Sequence, residues 1–232
     1  MSLNRPEILS YEQTPLGALC LRRRELISRP GVVVTEVTLD GEHLMSSYLT
    51  DSERALASIA LDWHSGTNLN VLVGGLGLGY TAAEALASDR VGRVEVVEFL
   101  PDVIAWMRAG LFPLAESLTA DARMSVSEGD VYKRLAGPPP DRTFDIIVID
   151  VDHAPDASLD FANASFYADE GLRAARDHLS DGGILGVWSS YENPTFVAGL
   201  ERVFAEVRIE TVDVVNDLVD VEYTNTLFFA RR

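Results

Sequence analysis

Basic residues are scarce: 19 lysines and arginines face 36 aspartates and glutamates, leaving a formal net charge of −17 over 232 residues. A field of that sign repels phosphate backbones and anionic lipid, which argues against nucleic acid or a membrane as partner and favours cations. The same excess also serves a protein that merely needs to stay in solution. Cysteine is nearly absent. The single Cys20 cannot close an internal disulfide, and a chain of this length buries enough surface to fold without one. No unbroken apolar run approaches the roughly 18 residues of a membrane span, and Met1 to Arg24 lack a basic-then-apolar export pattern, so a cytoplasmic setting is expected. The histidines, His43, His64, His153 and His178, show no metal-ligand spacing, and no metal is expected.

What is present divides near residue 50. The first stretch is β-branched, as in Val32-Val33-Val34-Thr35, and reaches Asp40-Gly41, a strong hairpin signal. Residues 1–49 are therefore expected to form a small β-hairpin module. Arg22-Arg23-Arg24 reads as a solvated edge strand. At Thr50 the rhythm turns helical, with Thr50 or Asp51 as cap, Glu53 at capping-box spacing, and Leu56, Ile59, Ala60 and Trp63 on one stripe. Residues 50–232 then alternate apolar runs with helical stretches, which predicts a mostly parallel seven-stranded α/β sheet covered on both faces. Strands are expected near Asn70–Gly74, Arg93–Glu98, Arg123–Ser127, Phe144–Asp150 and Gly183–Trp188, with a terminal antiparallel hairpin from Val207–Val214 and Glu222–Ala230. Helices are expected at Tyr80–Ser88, Pro101–Ala109, Val131–Leu135, Ser165–Leu179 and Pro194–Phe204.

Three features fall at the carboxyl ends of successive strands. Gly74-Gly75-Leu76-Gly77-Leu78-Gly79 runs into a helix, where a ligand can approach the backbone and amides point outward. Glu98, about twenty residues beyond, stands where a doubly wound fold presents a carboxylate to ribose hydroxyls. Gly129-Asp130 ends the next strand, and its carboxylate can accept from an adenine amino group. Each carboxylate could equally be a helix cap. Together they favour an adenosine-containing ligand. From Gly75 the spacing is Gly-x-Gly-x-Gly rather than the Gly-x-Gly-x-x-Gly of dinucleotide sites, the form seen in S-adenosylmethionine-dependent transferases.

At these motifs the chain resembles the spermidine synthase (polyamine aminopropyltransferase) branch of the class I methyltransferase fold. Val71 to Thr81, VLVGGLGLGYT, is similar to the family's VLIIGGGDGGT; Val94 to Glu98 is similar to its VTLVE. Ser127 to Asp130 resembles its GDG segment, Phe144 to Asp150 its YDVIIVD, and Leu179 to Leu185 its LKPDGIL. The likeness covers nearly the whole chain and implies a Rossmann-like fold and a homodimer. It also implies a nucleoside site at Gly75, Gly77, Leu78, Gly79, Glu98, Gly129 and Asp130, and a catalytic carboxylate at Asp150 that accepts a proton from an attacking amine.

The substrate-facing positions depart from the family. Its DSxDP reads Asp150-Val151-Asp152-His153-Ala154-Pro155, so the second aspartate falls on His153, with Asp152 one place out of register. Its glycine-loop aspartate falls on Leu78, and its YHE on Asp51-Ser52-Glu53. Tyr80, Trp188 and Tyr191 are candidates to face a sulfonium cation. Losing the charge at Leu78 removes what would exclude a carboxylated donor. The expectation is therefore methyl transfer from S-adenosylmethionine to a small, cationic or amine acceptor. Aminopropyl transfer from the decarboxylated form, leaving methylthioadenosine, and a non-catalytic nucleoside-binding protein remain as alternatives.

Overall fold

The computed structural model describes residues 6–151, 154–155, 165–216 and 221–232. Asp152 and His153 lie outside them. The N-terminal module is not one hairpin but a four-stranded antiparallel sheet of β1 (Glu7–Thr14), β2 (Gly17–Leu26), β3 (Arg29–Leu39) and β4 (Glu42–Ser46), in that spatial order. Asp40 and Gly41 both take positive φ, 50° and 87°, which is what a two-residue turn between twisted strands demands. The Asp40 carboxylate also accepts from the Ala18 amide at 2.7 Å, pinning the neighbouring turn. The arginine triplet does not form an edge: β2 is flanked by β1 and β3, and Arg22 and Arg24 both pair with Glu36 across the β2–β3 ladder.

The body follows as α1 (Asp51–Trp63), β5 (Leu69–Gly74), α2 (Tyr80–Ala87), β6 (Val91–Glu98), α3 (Pro101–Arg108), α4 (Ala115–Ala120), β7 (Met124–Glu128), α5 (Val131–Ala136) and β8 (Phe144–Ile149). It closes with α6 (Asp169–Asp177), β9 (Leu179–Ser189), α7 (Pro194–Val203), β10 (Glu206–Asn216) and β11 (Val221–Arg231). The sheet order is β10-β11-β9-β8-β5-β6-β7, parallel from β9 to β7 and antiparallel at the terminal hairpin. This is an α/β, Rossmann-like arrangement. The order reverses at β5, so the crevice beyond the ends of β5, β6 and β8 is where ligands bind in such sheets.

Three local expectations change. The helix placed at Ser165–Leu179 occupies Asp169–Asp177, because β9 begins at Leu179 and pairs with Phe144 before bulging; regular pairing resumes at Ile184 opposite Ile146. A further helix, α4, sits in the β6–β7 crossover, after Gly110 ends α3 at φ 72°. The capping box does not form. Thr50 makes no side-chain cap, and its hydroxyl instead accepts from Arg54 Nε at 3.3 Å.

One face of the sheet is covered by α1 to α4, the other by α5 to α7. The first of these cores also takes in Leu19, Leu21 and Val37 from the N-terminal sheet, so that sheet and the body share one apolar interior. Helix α1 is held at both ends. At its start Arg54 bonds Glu84 of α2 at 3.1 Å; at its end the Arg208 and Arg231 guanidinium groups both lie over the Trp63 ring, 4.4 and 4.5 Å from its centroid. No described helix is long and apolar enough to cross a membrane. Leu56, fully buried at the middle of α1, packs against β9, where its methyl lies within contact of Gly186. Leu56→Ala is expected to cost about 2–5 kcal/mol by chemical denaturation; a loss below about 1 kcal/mol would mean α1 is not anchored there.

Candidate active site

The turn out of β5 is shaped by its glycines. Gly75, Gly77 and Gly79 have φ of 92°, 52° and 84°, a region that side-chain-bearing residues avoid. At Gly75 the reason is also space, since a Cβ there would stand 2.4 Å from the Asp150 carbonyl oxygen. The loop is tied by Gly75 N to Val97 O at 2.9 Å and by Gly79 N to Leu76 O at 2.8 Å. Glu98 fixes it from β6: its carboxylate accepts from Leu76 N at 2.7 Å and Leu100 N at 2.8 Å. Burial pushes the Glu98 pKa up, against the pull of these amides and those of Gly77 and Phe99. Asp130 is the N-cap of α5, its Oδ1 accepting from Tyr132 N at 3.0 Å and Lys133 N at 3.1 Å. The cap role is therefore real, and it does not use up the lone pairs of a carboxylate.

These residues meet at a cavity of about 120 Å³ lined by Gly75, Gly77, Glu98, Gly129, Asp130 and Asp150. Of the nucleoside candidates, Leu78 and Gly79 are displaced from this cavity and border a neighbouring one of about 150 Å³ with Tyr80, Thr81, Trp188 and Asp150. The Leu78 side chain is 4% exposed and belongs to the core cluster. A third cavity, about 450 Å³, opens between α1, the N-terminal sheet and the terminal hairpin. Successive cavities share walls: Asp150 and Val151 border the first two, Glu53 and Trp188 the second and third, and Leu44 and Met45 of β4 all three.

Asp150 follows β8, its amide donating to Gly74 O at 2.9 Å and its Oδ2 accepting from the Thr81 hydroxyl at 2.7 Å. Desolvation raises its pKa. Glu53, on the first turn of α1, has left the helix cap for the junction of the second and third cavities. Ser52 Oγ donates to it at 2.9 Å. Burial first, and the charge of Asp150 second, push Glu53 up to about 7, so desolvation and like-charge repulsion both work against ionising the two carboxyl groups together.

In the sequence Asp51-Ser52-Glu53 counts among the departures from the family, with Glu53, like Asp152, a candidate replacement charge; the structure places Glu53 at the junction of the second and third cavities. The legible signal was an acid one turn before Leu56 and Ala57, on the stripe that faces the core. Tyr80 is placed at the site, but one role is already taken: the Arg54 guanidinium sits 5.0 Å from its ring centroid, and its hydroxyl bonds Ser47. Trp188 lines the site with a buried indole N–H that has no partner among the described residues. Tyr191 is 44% exposed and borders none of the three cavities.

No protein-family model matches this sequence. A polyamine aminopropyltransferase 2 from Streptomyces coelicolor is 34% identical over 124 residues, 53% of this chain and 22% of the relative. The chain thus spans about a fifth of the length of the curated relative it matches. Among solved structures, spermidine synthase from Thermotoga maritima superposes with a TM-score of 0.71 at 18% identity, covering 97% of this chain and 72% of that one. A spermidine synthase bound to the transition-state analogue AdoDATO gives 0.74 at 20%, covering 97% and 73%. The fold is that of spermidine synthase, and the sequence is similar to a polyamine aminopropyltransferase. This overturns the expectation of methyl transfer, since the relatives found carry aminopropyltransferase and spermidine synthase activity in their names. The inference from Leu78 failed because that side chain is turned into the core, while Glu53 and Asp150 supply carboxylates at the junction.

The raised Glu53 pKa has a consequence for stability. The folded protein holds that proton more tightly than an unfolded glutamate, which titrates near 4.5. The contribution of Glu53 to stability is therefore fully present below that range and is lost as pH rises through about 7. Glu53→Gln should melt with wild type at pH ~4 and above it at pH ~8. A melting difference that does not change with pH would contradict the pairing.

Proposed function

We propose that this chain is an aminopropyltransferase, moving the aminopropyl group of decarboxylated S-adenosylmethionine onto an amine and releasing methylthioadenosine. The observation that carries this reading is that the half-buried Glu53 and Asp150 carboxyl groups both line the cavity lying between the glycine-turn crevice and the compartment beside the N-terminal sheet. The crevice residues suit the nucleoside: a glycine turn that lets a ligand reach backbone amides, the Glu98 carboxylate for ribose, and Asp130 at the adenine end.

An amine attacks a sulfonium-activated carbon only as the free base. Its nitrogen forms a bond to the methylene beside sulfur, the carbon–sulfur bond breaks, and the electron pair stays on sulfur to leave a neutral thioether. The proton lost from the nitrogen goes to the carboxylate of Asp150, whose raised affinity suits it to the task. Thr81 holds that carboxylate in place, and Glu53 takes up the second ammonium interaction or the relayed proton. The same two carboxyl groups discriminate between donors. A carboxylate on the donor tail at about 4 Å from one of them is repelled by roughly 4 kcal/mol at an effective dielectric of 20, whereas the decarboxylated tail is not.

Two substitutions test the parts separately. Glu98→Ala should weaken binding of methylthioadenosine at least about tenfold by calorimetry, because it removes a charged acceptor from the crevice. Asp150→Asn should lower release of methylthioadenosine by about a hundredfold or more while the protein keeps a cooperative melt. If the Asn variant melts far below wild type but transfers normally per folded molecule, Asp150 is only a cap at a strand end.

A further inference from the structure

Asn70, Asn193 and Asn225 are buried, and the first two are tied into the fold. Asn70 Nδ2 donates to Thr143 O at 3.0 Å, and Asn193 Oδ1 accepts from Phe196 N at 2.9 Å as the cap of α7. Asn225, on β11 and 4% exposed, differs: among the described residues its side-chain amide has no hydrogen-bond partner. Asparagine is a poor strand former, and an amide desolvated without a partner costs stability. Side chains alternate along a strand, so Phe229, Leu227, Asn225 and Tyr223 share one face of β11. The first two lie in the apolar core with α1, and Asn225 and Tyr223 continue the row onto the wall of the third cavity, about 450 Å³.

That cavity is of small-molecule size, and its described lining mixes apolar side chains with hydrogen-bonding ones, Ser52, Glu53 and Tyr223 among them. Glu53 stands at the junction with the second cavity, and its charge reaches the Tyr223 hydroxyl, whose pKa is raised by burial first and by Glu53 second. An occupant with its nitrogen at the junction has the rest of its body in the same compartment as Asn225. A carboxamide offers two N–H donors and a carbonyl acceptor, which fits a hydroxyl, or an amino group that donates to the carbonyl. We infer that Asn225 determines acceptor specificity: its side-chain amide binds a hydroxyl or amino group that the acceptor carries away from its nucleophilic nitrogen. The inference rests on the aminopropyl-transfer reading for calling the occupant an acceptor, and on the unpartnered amide for the binding role.

The test is calorimetry of the whole chain with 4-amino-1-butanol, 5-amino-1-pentanol, 1,4-diaminobutane and 1,5-diaminopentane, each against butylamine or pentylamine of the same length. Wild type is expected to bind the bifunctional amines about tenfold more tightly than the alkylamines, and Asn225→Leu, close in size but without the amide, to lose that preference. Because the amide has no partner among the described residues, the Leu variant should also melt at or above wild type. Asn225→Asp, which puts a carboxylate in the same place, should shift the preference from aminoalcohol to diamine. A wild type without the preference, a Leu variant that keeps it, or an Asp variant that makes no such shift would overturn the inference. So would a Leu variant that melts well below wild type, since the amide would then be serving the fold. Loss of the preference in the Leu variant, with no methylthioadenosine released by wild type from decarboxylated S-adenosylmethionine, would uphold the role of Asn225 and sink the transfer reaction.

Discussion

The chain leaving β5 must pass within touching distance of the end of β8, and much of the site depends on that contact. Only a residue without a Cβ can stand at Gly75, because a Cβ there would lie 2.4 Å from the Asp150 carbonyl oxygen. That closeness brings the glycine turn and the catalytic candidate to one point, and lets Thr81, on the helix that the turn starts, reach the Asp150 carboxylate. The parallel sheet supplies the rest. Its strands end together at the switch in order around β5, so β6 brings Glu98 and β7 leads to Asp130 along the same edge.

Two carboxyl groups in one desolvated place are costly, and the fold offsets this only in part. Hydroxyls from Thr81 and Ser52 point at them, but no described arginine or lysine forms an ion pair with either. The contrast with Glu36 is instructive. There two guanidinium groups satisfy a buried carboxylate and hold it ionised. A structural acid in this protein is thus paired within the chain, whereas the acids at the junction are left with capacity for a proton or a cation from outside. A desolvated carboxylate without an ion-pair partner is a site signature for that reason.

Much of the architecture was legible because it depends on periodicity. Alternating apolar runs and helical stretches gave the parallel sheet, the glycine spacing located the turn, and Glu98 and Asp130 stood out as acids at or just beyond the ends of the next two strands, where the structure places them. What escaped was what depends on side-chain direction. Glu53 has the spacing of a capping residue, and only the packing of α1 against β9 shows that it faces inward. Leu78 occupies a loop position in the sequence, yet its side chain joins the core. The arginine triplet looked like edge protection because nothing in the order of residues says that β1 will cover that side of β2. Boundaries slipped where a bulge intervened, as before Ile184 in β9.

The placement of the aromatic side chains has an optical consequence. The chain holds 3 tryptophans. Trp106 is buried in the core, and Trp63 packs against two arginines and borders none of the three cavities. Trp188 alone borders the compartments where donor and acceptor meet, with its indole N–H facing no described partner. Occupancy of the junction therefore changes the surroundings of one fluorophore out of three, against two that stay constant. The protein carries its own internal reporter and, beside it, its own internal reference.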